Sequence, residues 1–102
     1  MSFDNDNLIR TAITGKRMVE FDYDGFHRIA ETHIYGRKDG VVQILVYQTG
    51  GASRSGGLPQ WRRMNVSGIS NMSVQRDAYA GRRPFPSGDH SVWDEKFLIV
   101  DP

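Results

Sequence analysis

The residue types best suited to chemistry lie in a glycine- and serine-rich stretch between Gln48 and Arg63, directly after an apolar strand pattern. Glycines and serines leave many backbone N–H groups able to face one ligand, and arginines add fixed positive charge. This mixture suits the holding of an anion such as phosphate rather than the breaking of a bond. The candidate ligand-binding residues in this stretch are Ser53, Arg54, Ser55, Arg62 and Arg63.

The same stretch has a second interpretation, because glycine- and serine-rich segments also form flexible loops without a binding function. The Gly-x-x-x-x-Gly-Lys-Ser/Thr pattern of nucleotide P-loops is absent, and no helix pattern follows. We favour a functional loop, and the sequence does not identify its ligand.

Two arginines alternate with residues that we expect in the core. Arg62 alternates with Met64, and Arg28 alternates with Ala30 on an earlier strand. A buried guanidinium without a partner is very costly, so each must reach a strand end or pair with a carboxylate. An anion contact and a structural ion pair therefore stay open for both. The carboxylates that could pair with Arg62 are Glu20, Asp22 and Glu31.

Two aromatic residues, Tyr47 and Trp61, flank the stretch. Aromatic rings beside arginines can stack a nucleic-acid base, as proteins that bind single strands do. Aromatic rings at strand ends more commonly pack as lids on a core. Both interpretations are kept, and both residues are candidate ligand-binding positions.

No pattern typical of catalysis or of a metal site is present. The Gly-x-Ser-x-Gly and His-Glu-x-x-His motifs are missing. No histidine or carboxylate occurs at a sequence spacing from the loop serines that is typical of a general base for a serine nucleophile. His27, Glu31 and His33 share one strand face, but one strand cannot bring all three round one ion. We interpret them as polar residues facing solvent. No enzymatic activity, metal ion or cofactor is expected.

Composition indicates one domain of ordinary globular character. The chain has 102 residues, a net charge of +1 and no cysteine, which excludes disulfides and thiolate metal sites. Arginine supplies ten of the thirteen basic residues, which suits phosphate recognition but also fits genome composition bias. The acidic N-terminus has no apolar signal region, so we expect a cytoplasmic protein without a membrane segment.

The hydrophobic pattern predicts a mainly β fold with a short N-terminal helix. Alternating apolar residues and glycine turns indicate a small antiparallel barrel of about five strands. An apolar segment near the end, from Ser91 to Val100, should dock on the barrel or pair with another chain. The predicted strands cover 18–23, 26–35, 41–48, 61–66 and 69–74, with turns at 24–25 and 36–40. Within one domain over 1–102, we expect the helix at 5–14, the barrel at 17–75 and a C-terminal extension at 76–102.

The order of these elements resembles the WYL domain family over roughly residues 8–86. The resemblance rests on Val19-x-Phe21-x-Tyr23, Arg28, Asp39-Gly40, Tyr47, Trp61-Arg62-x-Met64-x-Val66 and Arg83-Pro84. It implies an SH3-like, Sm-like barrel with a leading helix, of a kind used for ligand sensing in bacterial transcriptional regulators and defence-associated proteins. The implied ligands are nucleotides or nucleic acid, held by basic residues near the barrel mouth.

The chain departs from the family in three ways. The tripeptide that names the family falls at Val42-Gln43-Ile44, so two of its three residues are missing, and the Glu-Pro pair after the return-strand arginine is Glu31-Thr32. We also expect no helix-turn-helix ahead of the domain. We therefore expect a stand-alone, regulatory domain that binds an anionic ligand such as a nucleotide or a short single-stranded nucleic acid. The alternative is a protein-interaction or assembly module, with a protein partner or a homo-oligomer formed through strand edges and the C-terminal tail.

Overall fold

The computed structural model describes residues 2–51, 57–81 and 93–101, and over these ranges the chain is mainly β with one short helix. The helix is longer than predicted, because it already begins at residue 2. The elements are α1 (Ser2–Gly15), β1 (Arg17–Tyr23), β2 (Phe26–Lys38), β3 (Val41–Gly51), β4 (Gln60–Asn65), a 3-10 turn (Val66–Gly68), β5 (Ile69–Ala78) and β6 (Glu95–Ile99).

The strands form one antiparallel sheet in the order β4-β3-β2-β1-β5, and β6 adds to β2. This is possible because β2 is 13 residues long. Its first half pairs with β1, and its second half pairs with β6 along the same edge. The predicted antiparallel sheet is confirmed. Among the described residues, the pairing does not close the sheet into a barrel.

Asp-Gly dipeptides make both hairpin turns. Asp24 and Gly25 have φ values of 54° and 80°, and Asp39 and Gly40 have values of 53° and 78°. Two successive left-handed residues are what a tight hairpin between twisted strands requires. The first predicted turn is confirmed. The second was predicted too wide, because residues 36–38 continue β2.

The core lies between α1 and one face of the sheet, as the helical spacing of apolar residues predicts. Ile9, Ala12 and Ile13 are almost fully buried and share a cluster with Val19 and Phe21 of β1. We call the side of the sheet that carries this cluster the core face. No helix in the described ranges combines the length and the apolar character needed to cross a bilayer.

The C-terminal segment docks on its own chain, which is one of the two predicted alternatives. Besides the β6–β2 ladder, the backbone N–H of Val100 donates to the carbonyl of His33 at 2.9 Å. The rings of Phe97 and Tyr35 meet edge to face, with centroids 5.2 Å apart. These contacts cover the second half of β2.

Candidate functional site

Arg28 lies at one end of the core face, with 2% of its surface exposed. One guanidinium nitrogen donates to the side-chain oxygen of Gln48, and another donates to the carbonyl of Tyr23, both at 3.2 Å. The rings of Tyr23 and Phe26 each lie 5.6 Å from the guanidinium carbon. These contacts orient the fork of Arg28.

A second arginine shares this face. Arg62 stands opposite Val46 in the β3–β4 ladder, and Gln60 stands opposite Gln48. Residues directly opposite each other lie on the same face of a sheet. Val46 is a core residue, so Arg62 extends along the core face, as its alternation with Met64 predicts. We define the arginine face as the four side chains at this end of the core: Arg28, Gln48, Gln60 and Arg62.

The described residues on either side of the glycine- and serine-rich loop lie beside the arginine face. The loop leaves β3 after Gly51, which pairs with Arg28, and the side chain of Gln60 donates to the carbonyl of Gly57 at 3.2 Å. A Cβ on Gly51 would lie 2.9 Å from the Cα of Arg28, so only glycine permits this close approach. The predicted site residues Ser53, Arg54 and Ser55 lie outside the described residues.

Tyr47, Trp61 and Arg63 lie on the opposite face. Tyr47 and Trp61 stand opposite each other in the ladder, and their rings are 5.0 Å apart at 60°. The guanidinium carbon of Arg63 lies 4.3 Å from the ring centroid of Trp93. The structure therefore brings Arg28 and Arg62 together on one face and gathers the aromatic candidates on the other.

Glu31 and His33 are buried, which corrects the interpretation of both as solvent-facing. Their relative exposures are 4% and 0%, and the His33 Nε2 lies 3.0 Å from a carboxylate oxygen of Glu31. The imidazole packs edge to face on Trp61 and also contacts Tyr79. Their β2 face is thus covered by aromatic rings, and no feature of the local sequence signalled that cover.

Tyr79 contributes a second polar contact to this covered face. Its hydroxyl donates to the backbone carbonyl of Thr32. Burial raises the pKa of Tyr79 to about 12, so the phenol stays protonated and keeps donating. The arrangement supplies a buried polar network that joins β2 to the residues after β5.

The carboxylates considered as partners for Arg62 each contact a histidine. His27 approaches Asp22 through Nδ1 at 2.9 Å and Glu20 through Nε2 at 2.7 Å, and Glu31 contacts His33. These bonds raise the pKa of His27, with the hydrogen bond to Asp22 as the largest cause. Within the described ranges, no three histidine and carboxylate side chains are arranged to hold a metal ion.

A scan against models of protein families, a search of curated proteins and a search of solved structures each found no match. The resemblance to the WYL domain family therefore stays a prediction made from the residues. What this chain can bind has to be argued from its own geometry.

Proposed function

We propose that this chain is a ligand-binding domain that holds an anionic group, of the phosphate class, against the arginine face. The observation that carries the proposal is that buried Arg28 and Arg62 share one face of the sheet, at the end where the glycine-rich loop departs, and that Gln48 of the intervening strand accepts a hydrogen bond from Arg28. The two arginines lie on the same face of the sheet, on β2 and β4 with β3 between them, and their guanidinium groups offer planar forks that match phosphate oxygens in a bidentate way.

Preorganisation favours binding at this place. The side chain of Gln48 and the backbone carbonyl of Tyr23 both accept hydrogen bonds from the guanidinium of Arg28 and fix its orientation. An arginine already held in place loses little conformational freedom when an anion arrives. Glycine-rich backbone next to two arginines can also supply N–H donors to the same anion.

The resemblance to the WYL domain family is the basis for the proposed ligand class and for the proposed family. A strand order in which β1 pairs with both β2 and β5 is compatible with an SH3-like or Sm-like barrel that opens between β4 and β5. In a WYL-like domain, the anion would be a nucleotide or a short single-stranded nucleic acid, and the role would be regulatory. The cytoplasm is the compartment where such a ligand is abundant.

Titration with nucleotides and short oligonucleotides at two salt concentrations tests the proposal. Affinity should fall as salt rises, because phosphate contacts dominate. Arg62→Gln should weaken binding about tenfold or more, the scale of one charged hydrogen bond. The matched control is Arg76→Gln, which removes the same charge from an exposed position on β5. No binding in the millimolar range, or equal losses in both variants, would overturn the proposal.

A second candidate function, assembly through strand edges, is favoured by the open sheet. Among the described residues, β4 and β5 each pair with a neighbour on one side, so each leaves an edge available to another chain. Light scattering of the full chain over a range of concentrations tests this. A mass that rises with concentration supports assembly, and a monomer at every concentration rules it out.

A further inference from the structure

A cavity of about 620 Å³ lies away from the arginine face, between α1, the β2–β3 turn and the 3-10 turn. We call it the helix–hairpin cavity. It shares no residue with the arginine face, and its volume is in the range of pockets that take small ligands, roughly 300–1,000 Å³. The lining residues that matter are Asp6, Tyr35, Val41, Val42, Val66 and Ser67.

Three valines give the cavity an apolar wall. Val66 is buried and Val42 is half-buried, whereas Val41 has 41% of its surface exposed. Among the described residues, Val41 is the large apolar side chain with the most exposed surface. A ligand with an apolar body gains free energy by covering such surface.

One carboxylate is fixed at this apolar wall. The hydroxyl of Tyr35 donates to Oδ1 of Asp6 at 2.6 Å, and Tyr35 is itself 4% exposed. This hydrogen bond lowers the pKa of Asp6, so the carboxylate is ionised at neutral pH. Burial and the bond to Asp6 raise the pKa of Tyr35 to about 12, so the donor persists. The cavity is therefore lined by an ionised carboxylate that the Tyr35 hydroxyl holds in place.

Arg10 contacts the same carboxylate without closing the site. Its Nε lies 3.1 Å from both oxygens of Asp6, one turn away along α1. The side chains of Arg10 and Asp6 are 47% and 34% exposed, and ion pairs this exposed contribute little. A second cation can therefore replace or join Arg10 at Asp6.

We propose that the helix–hairpin cavity binds a small amphipathic amine, with its protonated amino group on Asp6 and its apolar body against Val41, Val42 and Val66. The hydroxyl of Ser67 offers the amine a further acceptor. An anion of the same shape would meet the charge of Asp6 and be repelled. A neutral analogue would keep the apolar contact but lose the charge-assisted hydrogen bond.

Three probes with one apolar body and different charges test this: 3-phenylpropylamine, 3-phenylpropan-1-ol and 3-phenylpropionate. Binding to the full chain is measured by calorimetry and by the NMR shifts of the Val41, Val42 and Ser67 amides. The amine should bind up to about fivefold more tightly than the alcohol, the scale of an exposed ion pair, and the acid should bind most weakly. No shift of these amides by any probe, or affinities that do not depend on charge, would overturn the proposal.

Two variants test whether the Asp6 carboxylate causes the preference for the amine. Asp6→Asn keeps an oxygen for the Tyr35 hydroxyl but removes the charge, so the amine and the alcohol should bind equally. Asp22→Asn is the matched control, because Asp22 also has a lowered pKa but does not line the cavity, and it should retain the preference for the amine. Amide spectra of both variants establish that they are folded.

Arg10→Gln gives a test with the opposite sign. Removing a competing cation should raise the affinity for the amine several-fold, and an affinity that does not rise would mean that the amine does not contact Asp6. Phosphate binding at the arginine face should be the same in all three variants. Failure of this inference is therefore distinguishable from failure of the proposed function.

Discussion

Arg28 donates to the side-chain oxygen of Gln48 at 3.2 Å, and both side chains are buried. The amide nitrogen of Gln48 donates to the carbonyl of Gly50 at 3.1 Å, which leaves its oxygen to face the arginine. One glutamine therefore links the guanidinium to the strand end from which the loop departs. The arginine face depends on this link.

We expect Gln48→Ala to lower the free energy of unfolding by about 1–3 kcal/mol or more, because it removes an acceptor from a buried charge. Urea denaturation measures the loss. Gln43→Ala is the matched control, since Gln43 lies on the same strand and the hydrogen bonds of its side-chain amide are at exposed or half-buried positions. Equal losses in the two variants would contradict a special role for Gln48. Anion binding should also weaken in Gln48→Ala and persist in Gln43→Ala.

The His27 cluster predicts a pH dependence of stability. Both ring nitrogens face carboxylate oxygens, and a histidine donates from both nitrogens when it is protonated. The hydrogen bonds to Asp22 and Glu20 raise the pKa of His27 above its ordinary value of 6.5. Its stabilising contribution is complete below pH 6.5 and is lost as pH rises through the folded-state pKa.

Comparison of the native chain with His27→Gln isolates this contribution. The difference in unfolding midpoint between the two should shrink as pH rises above 6.5, and the NMR titration of the His27 ring should report a raised pKa. The pKa of Asp22 is lowered, mainly by its bonds from Asn71 and His27, so its contribution is lost as pH falls below 3.8. A difference that stays constant above pH 6.5 would rule out the protonated bridge.

Local chemistry made part of this fold predictable. Asp24-Gly25 and Asp39-Gly40 supply the left-handed residues that tight hairpins need, and they fix both turns. The apolar spacing of Ile9 and Ile13 predicts which side of the helix is buried. These signals depend only on residues close together in the sequence, so they can be recognised from the sequence alone.

The burial of other residues could not be predicted, because residues distant in the sequence cover them. The β2–β3 ladder shifts register between Ile29 and Ala30 and again between Thr32 and Ile34. The first shift has its extra residue, Thr49, on β3, and the second has its extra residue, His33, on β2. Alternation along β2 therefore changes face after Thr32 and no longer reports which residues are buried. His33 was expected in solvent because it is polar, and rings from distant parts of the chain cover it instead. The β3–β4 pairing places Arg62 opposite Val46 and Trp61 opposite Tyr47, and it therefore divides the arginine and aromatic candidates between the two faces of the sheet.

Gly36 shows how a glycine can be mistaken for a turn residue. It lies within β2, where a Cβ would overlap the carbonyl oxygen of Glu95 and approach the Trp93 ring to 2.9 Å. We expect Gly36→Ala to displace β6, with faster hydrogen exchange at the Val100 amide and a clear loss of stability. Gly50→Ala is the matched control, because its nearest neighbour would be a side-chain carbon at 3.4 Å. Similar exchange rates in the two variants would contradict the close approach.

Tyr79 predicts sensitivity to alkali. Its pKa is raised from 10.0 to about 12, chiefly by burial, while its hydroxyl donates to the carbonyl of Thr32. Between these two pH values the unfolded chain loses the phenolic proton and the folded chain keeps it, so stability falls as pH rises. Urea midpoints measured from pH 9 to pH 12 should therefore decline more steeply for the native chain than for Tyr79→Phe, which has no proton to lose at this position. At pH 9 the native chain should be the more stable, since the variant lacks the hydrogen bond to Thr32. Parallel curves for the two proteins would mean that the phenol is accessible to water in the folded chain.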